Sequence, residues 1–238
     1  MMRASPAAAH PALVWPPDDT EESVVGTDRH QMTIMNMRWG INKIAHAAVA
    51  PGQPVPFQAL SQTMIIGFSR PDGTRYTTLP DVFVYPHPIA QDRGSLTLAL
   101  DGPPVLIIEV ASESTYDSDL DLERGKGWTY ARAGVREYLV IDPTGLYLPE
   151  QIRAWRLEAG AYQPWLPDER GYWQSRELPI AIAVEEGLAA IYSSAGRRQP
   201  REGEIATSLD QMAEELARKD AEIAELRRRL EQTEREQR

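Results

Sequence analysis

The 238-residue chain contains no cysteine. That absence excludes disulfides, thiolate zinc sites and cysteine nucleophiles together, and it fits a reducing compartment. The chain also lacks any uninterrupted apolar run near the ~20 residues that a membrane-spanning helix needs. Pro6, Pro11, Pro16 and Pro17 interrupt the opening segment where a signal peptide would hold its apolar centre. A soluble, cytoplasmic protein is therefore the default expectation. Basic charge is the third shortage, because 25 Lys+Arg face 35 Asp+Glu for a formal net charge of −10. The deficit is general, with 17 basic against 24 acidic residues in 1–200 and 8 against 11 in 201–238. It argues against nucleic-acid binding by bulk charge and leaves room only for a local basic groove.

What is present is globular in character: 42% hydrophobic and 25% charged residues, enough for one α/β domain plus an appendage. Residues 1–20 are rich in Ala and Pro and read as disordered or loosely packed. Residues 21–195 read as the folded domain, and 201–238 as a separate helix. Ile34, Met37, Ile41, Ile44 and Ala48 recur at helical spacing, with Thr27 or Asp28 as cap. Val55–Leu60, Thr63–Phe68 and Tyr76–Thr78 carry strand composition, and Pro71-Asp72-Gly73 predicts a hairpin turn between the last two. Asp81–Tyr85, Val105–Val110 and Glu137–Ile141 are short, nearly continuous apolar runs, the pattern of strands covered on both faces. A helix is expected over about 119–133 with Gly134 as its C-cap, and a further hairpin joins 152–157 to 161–166. Trp155, Tyr162, Trp165, Tyr172 and Trp173 fall within 19 residues. Cross-strand pairs covering one sheet face are the expected arrangement, ahead of a base-stacking surface.

In the tail, Leu209, Leu216, Ile223 and Leu230 occupy a-type positions and Ile205, Met212, Lys219 and Leu226 d-type positions. This is a four-heptad coiled-coil pattern, so a homo-oligomer formed through residues 205–230 is expected. Packing back onto the parent domain is the other solution for such a stripe.

The chemistry concentrates between residues 80 and 143. Asp81 opens one buried strand and Glu109 lies inside another, 28 residues later. Two acids on neighbouring apolar strands repel each other and hold a raised pKa unless a cation lies between them. Mg²⁺ suits such a place, because it takes few carboxylate oxygens and keeps several waters. Spacing alone favours the plainer pair, in which Asp81 caps a turn and Glu109 meets an arginine. Two residues after Glu109 stands Ala111, so the simple Glu-x-Lys pattern of metal-dependent nucleases is absent. Lys126, at the start of the next helix and flanked by Gly125 and Gly127, is the nearest lysine able to reach back to the strand ends. The two glycines imply a close approach there or an irregular helix start.

The run from Pro104 through Glu109-Val110-Ala111-Ser112-Glu113-Ser114-Thr115, then Lys126, Tyr130-Ala131-Arg132-Ala133-Gly134-Val135-Arg136-Glu137-Tyr138 and Ile141-Asp142-Pro143, resembles the Uma-two family of endonuclease-like proteins. That family falls in the PD-(D/E)xK, restriction-endonuclease-like superfamily. Pro80-Asp81 matches its first acid, and His30-Gln31 at a helix start also fits. The resemblance spans about residues 20–190 and implies an α/β fold, a mixed central sheet flanked by helices. It implies Asp81 and Glu109 as catalytic metal ligands, the backbone carbonyl of Val110 as a further ligand, and Lys126 as the displaced catalytic lysine. Mg²⁺ (or Mn²⁺) is the implied cofactor and DNA the implied substrate. This chain departs from the family at Leu139, where an aromatic is usual, and in a longer acidic stretch between Thr115 and Lys126.

Other residues receive plainer readings. His30 could cap or support the site, and Glu21 or Glu22 could add an outer carboxylate. Ser112, Ser114 and Thr115 fit a turn cap, and His46 and His87 lack ligand spacing. Asp117, Asp119, Asp121 and Glu123 alternate like a Ca²⁺ loop but lack its central glycine and final glutamate, so a solvated loop is expected. The leading expectation is a metal-dependent DNA endonuclease whose phosphate contacts come from Arg70, Arg75, Arg124, Lys126 and Arg132. A non-catalytic interaction or regulatory protein that retains the nuclease fold is the alternative.

Overall fold

The computed structural model describes residues 28–90 and 93–236. The sequence expectations for residues 1–20, Glu21, Glu22 and Thr27 fall outside these. Backbone contacts divide the chain into two units between Gln199 and Pro200. The first contains α1 (Asp28–Ala47), β1 (Gln58–Leu60), β2 (Met64–Ser69), β3 (Arg75–Thr78), β4 (Val82–Tyr85), β5 (Ser95–Thr97), α2 (Leu98–Asp101) and β6 (Leu106–Val110). It continues through α3 (Tyr116–Leu120), α4 (Lys126–Ala133), β7 (Glu137–Ile141), β8 (Ile152–Glu158), β9 (Ala161–Pro164), β10 (Trp173–Gln174), β11 (Ile180–Glu185) and β12 (Leu188–Ser193). The second unit is α5 (Glu202–Glu236), one 35-residue helix.

A mixed six-stranded sheet, ordered β1-β4-β6-β7-β8-β9, forms the centre. β6 and β7 run parallel, and the other neighbours are antiparallel. β4, β6 and β7 are buried along their whole length, as their unbroken apolar runs require. Side chains alternate across the sheet. Val82, Val84, Leu106, Ile108, Leu139 and Ile141 face one layer, built from α1 and the β10-β11-β12 sheet. Phe83, Tyr85, Ile107, Tyr138 and Val140 face the other, built from the β3-β2-β5 sheet and α4.

The spacing in α1 predicts four of its five positions: Ile34, Met37, Ile41 and Ile44 are buried against the first layer, while Ala48 lies past the end of the helix and is exposed. Gly40 lets the helix approach β12, since a Cβ there would stand 2.9 Å from Ile191 Cβ. The Asn42 amide both donates to and accepts from the Ala59 backbone, at 2.9 and 2.8 Å, which ties the edge strand β1 to the helix. The Pro71-Asp72-Gly73 turn closes the β2–β3 hairpin, with Gly73 at φ +83° and Asp72 accepting from the Thr74 N–H.

Two expectations need correction. The single helix over 119–133 is two, α3 and α4, separated by a turn at Asp121–Gly125. An added Cβ on Gly125 would fall 2.2 Å from the Ser118 carbonyl oxygen and 2.7 Å from that of Asp121. The flanking glycine therefore marks a close backbone approach, which no other residue permits. The five aromatics do not share a sheet face. Trp155 and Tyr162 stack on Tyr138 in the α4 layer, while Trp165 lies in the α1 layer under Arg156. Tyr172 stacks on Tyr192 of the β10-β11-β12 sheet.

No helix among the described residues is long and apolar enough to cross a membrane. Within α5, Met212, Leu216 and Ile223 are exposed, and Lys219 pairs with Glu215 one turn away at 2.9 Å.

Candidate active site

β4 and β6 end together at one rim of the central sheet. Their register sets Val82 opposite Ile108, so the next step outward brings Asp81 opposite Glu109. By alternation both acids follow Phe83 and Ile107 onto the α4 layer. One further step would bring Pro80 opposite Val110. Proline has no N–H, so it can give the Val110 carbonyl no ladder bond. The Val110 N–H is taken instead by Asp81 Oδ2 at 2.7 Å, and the Asp81 N–H points at Glu109 Oε2 at 3.4 Å. The Pro-Asp pair thus ends the ladder and fixes the first carboxylate across the strand end.

Lys126 is the first residue of α4. Its Nζ lies 3.4 Å from Glu109 Oε1 and 3.2 Å from Asp119 Oδ1. The Tyr130 hydroxyl, one turn further along α4, donates to the same Glu109 Oε1 at 2.5 Å and lies 3.0 Å from Thr78 Oγ1. His30, in the first turn of α1, sets Nε2 3.4 Å from Asp81 Oδ1. The four charged groups grade from rim to interior: side-chain exposure is 18% for Asp81, 4% for Lys126, 2% for Glu109 and 1% for Asp119.

The structure therefore brings Asp81, Glu109, Val110 and Lys126 together and adds His30 to them. It also corrects one reading. Asp119 is not part of a solvated loop; it is buried in α3 and paired with the lysine. The signal that could have found it is Gly125, whose missing Cβ lets α3 press on the start of α4. Of the basic residues expected on a phosphate-binding surface, Lys126 is buried, Arg124 lies 4.0 Å from Asp121, and Arg70 lies over the Tyr76 ring. Ser112 and Thr115 share a hydroxyl contact at 2.9 Å ahead of α3, and His46 and His87 are exposed.

Among the described residues no three His, Cys, Asp or Glu side chains converge into an all-protein metal cage. The donors at the rim fit a different kind of ion. One oxygen of each carboxylate is firmly bonded, Asp81 Oδ2 to Val110 and Glu109 Oε1 to Tyr130. The other oxygen of each has a neighbour at 3.4 Å, His30 Nε2 for Asp81 Oδ1 and the Asp81 N–H for Glu109 Oε2. Two loosely held carboxylate oxygens beside a carbonyl that the ladder does not use suit Mg²⁺ or Mn²⁺, which would complete their shells with water and phosphate.

Burial pushes the Glu109 carboxyl far above the ordinary range, to about 8; Lys126 opposes this, and Asp119 and Asp81 add to it. Burial likewise raises Asp119, again against the pull of Lys126. A group that holds its proton in the folded state but releases it when unfolded makes stability fall as pH rises. For the metal-free protein, unfolding free energy should therefore decline between about pH 5 and pH 8, by up to ~1.4 kcal/mol per pH unit for one proton. Denaturant titrations in chelator test this: Glu109→Gln should flatten the slope, and a level profile in the unsubstituted protein would contradict it.

A family profile described as "Putative restriction endonuclease", Uma2, matches residues 43–187. Asp81, Glu109, Val110, Asp119, Lys126 and Tyr130 all lie inside that span, and His30 and α5 lie outside it. No curated protein matches the chain. With more than half of its length covered, and with a central mixed sheet that fits the restriction-endonuclease-like superfamily, the chain belongs to the Uma2 family.

Proposed function

We propose that this protein is a metal-dependent DNA endonuclease of the PD-(D/E)xK type, hydrolysing phosphodiester bonds at the β4–β6 rim. The observation that carries the reading is the meeting of Asp81 and Glu109 across the strand ends, with Lys126 Nζ 3.4 Å from the second acid. Asp81, Glu109 and the Val110 carbonyl would hold Mg²⁺ or Mn²⁺, which when bound acidifies a water and draws charge from the phosphate. Charge counting supports it: three carboxylates and one ammonium leave a formal deficit of about two, which one divalent cation would cancel. Lys126 offers an ammonium donor fixed in advance of the reaction, able to orient the attacking water and to stabilise charge growing on phosphate oxygens. The Tyr130 hydroxyl fixes the Glu109 carboxylate, and His30 steadies Asp81 from the rim side.

Nicking of supercoiled plasmid tests the reading. The unsubstituted protein should nick in Mg²⁺ or Mn²⁺ and not in chelator. Asp81→Asn, with its fold checked by circular dichroism, should lose at least about a hundredfold in rate, the scale of a lost electrostatic or general-acid group. Equal rates would remove Asp81 from the site. A protein that is stabilised by metal but never nicks would favour the non-catalytic binding module.

For the tail, we infer that α5 pairs with the same helix of a second copy, bringing two nuclease units to one duplex. Met212, Leu216 and Ile223 form an exposed stripe at heptad spacing that pairing would bury. Truncation after Pro200 should lower the mass seen by light scattering from an oligomer to a monomer. An unchanged mass would contradict the pairing.

A further inference from the structure

We propose that Asp119 is a positioning residue: it is the counter-ion that keeps Lys126 in place when Glu109 turns its charge to a metal. The proposal extends the nuclease reading above, and one arm of its test is independent of that reading. Lys126 has two carboxylates within 3.4 Å, and they differ in kind. Glu109 reaches the rim through its second oxygen, 3.4 Å from the Asp81 N–H. Asp119 is fully buried, belongs to no strand, and is held by its own backbone. Its N–H donates to the Thr115 carbonyl at 2.9 Å, and its carbonyl accepts from the Tyr138 hydroxyl at 2.8 Å.

A buried ammonium requires an anionic partner, because the desolvation of an unpaired charge is too costly to sustain. A divalent cation at the rim would draw on Glu109 and repel the lysine. Asp119, buried and 3.2 Å from Lys126 Nζ, is the second carboxylate left to the lysine. The sequence arranges this through Gly125, which allows the carbonyls of Ser118 in α3 and of Asp121 just after it to close on the start of α4. The carboxylate seven positions before the lysine is thereby set against its Nζ. Asp119 acts through Lys126 and has no need to meet metal or DNA itself.

The chain has only three lysines, Lys43, Lys126 and Lys219, and the first and last are exposed. Reductive dimethylation followed by peptide mapping therefore reads Lys126 against two internal references, in chelator and in Mg²⁺. In the unsubstituted protein Lys126 should react at least about tenfold more slowly than the references in both conditions. In Asp119→Asn that protection should fall by about tenfold in chelator and further in Mg²⁺. Plasmid nicking by the variant should lose turnover with little change in KM for DNA. Unchanged protection of Lys126 in Asp119→Asn would overturn the proposal. Should that variant fail to fold, Glu109→Gln gives the complementary reading: Asp119 alone must then keep Lys126 protected, and exposure of the lysine would overturn it. If Mg²⁺ alters nothing in either protein while the chelator arm behaves as expected, the metal reading fails and the Asp119 anchor stands.

Discussion

Like charges buried together are the constraint on which this structure turns. Asp81, Glu109 and Asp119 share a small region of low dielectric with a single ammonium group. Three carboxylates cannot all ionise there without compensation, and the protein meets the problem by degrees. Asp119 takes the lysine, burial pushes the Glu109 carboxyl up to about 8, and Asp81 stays near water with a backbone N–H on one oxygen. A proton on Glu109 and a divalent ion at the rim are alternative answers to the same excess of negative charge.

The fold supplies this region by ordinary means. Period-2 alternation sends Asp81 and Glu109 to the same layer while their neighbours Val82, Ile108 and Val110 fill the opposite one. Pro80 ends the ladder opposite Val110, and Gly125 brings two short helices into backbone contact. These are local features of one or two residues. Their effect depends on the buried sheet beneath them, whose β4, β6 and β7 leave no freedom of register.

Much of this is legible in the amino-acid sequence. The apolar runs 81–85, 105–110 and 137–141 are strands, the helical spacing from Ile34 to Ile44 is a buried helix face, and the turn residues at 71–73 close a hairpin. Asp81 and Glu109 stand out because acids in apolar strands demand a reason, and Lys126 because it is the nearest lysine after them and matches the family's displaced lysine. Asp119 does not stand out: it belongs to an acidic, alternating stretch that has the composition of a surface loop. Its burial comes from a tertiary contact that only the glycine at 125 betrays. The aromatic group from Trp155 to Trp173 misleads for a related reason. Closeness in sequence says nothing of which layer a residue joins once β8, β9 and β10 are divided between sheets. The hairpin of β11 and β12 carries its signal in Glu186-Gly187, both at positive φ, which periodicity passes over.

The central claim is that the β4–β6 rim is built to hold one divalent ion. Anomalous diffraction from crystals soaked in Mn²⁺ tests it most directly. A single peak should lie within roughly 2.0–2.3 Å of oxygens from Asp81, Glu109 and the Val110 carbonyl. Full Mn²⁺ occupancy elsewhere in the protein, with the rim carboxylates unliganded, would contradict the account.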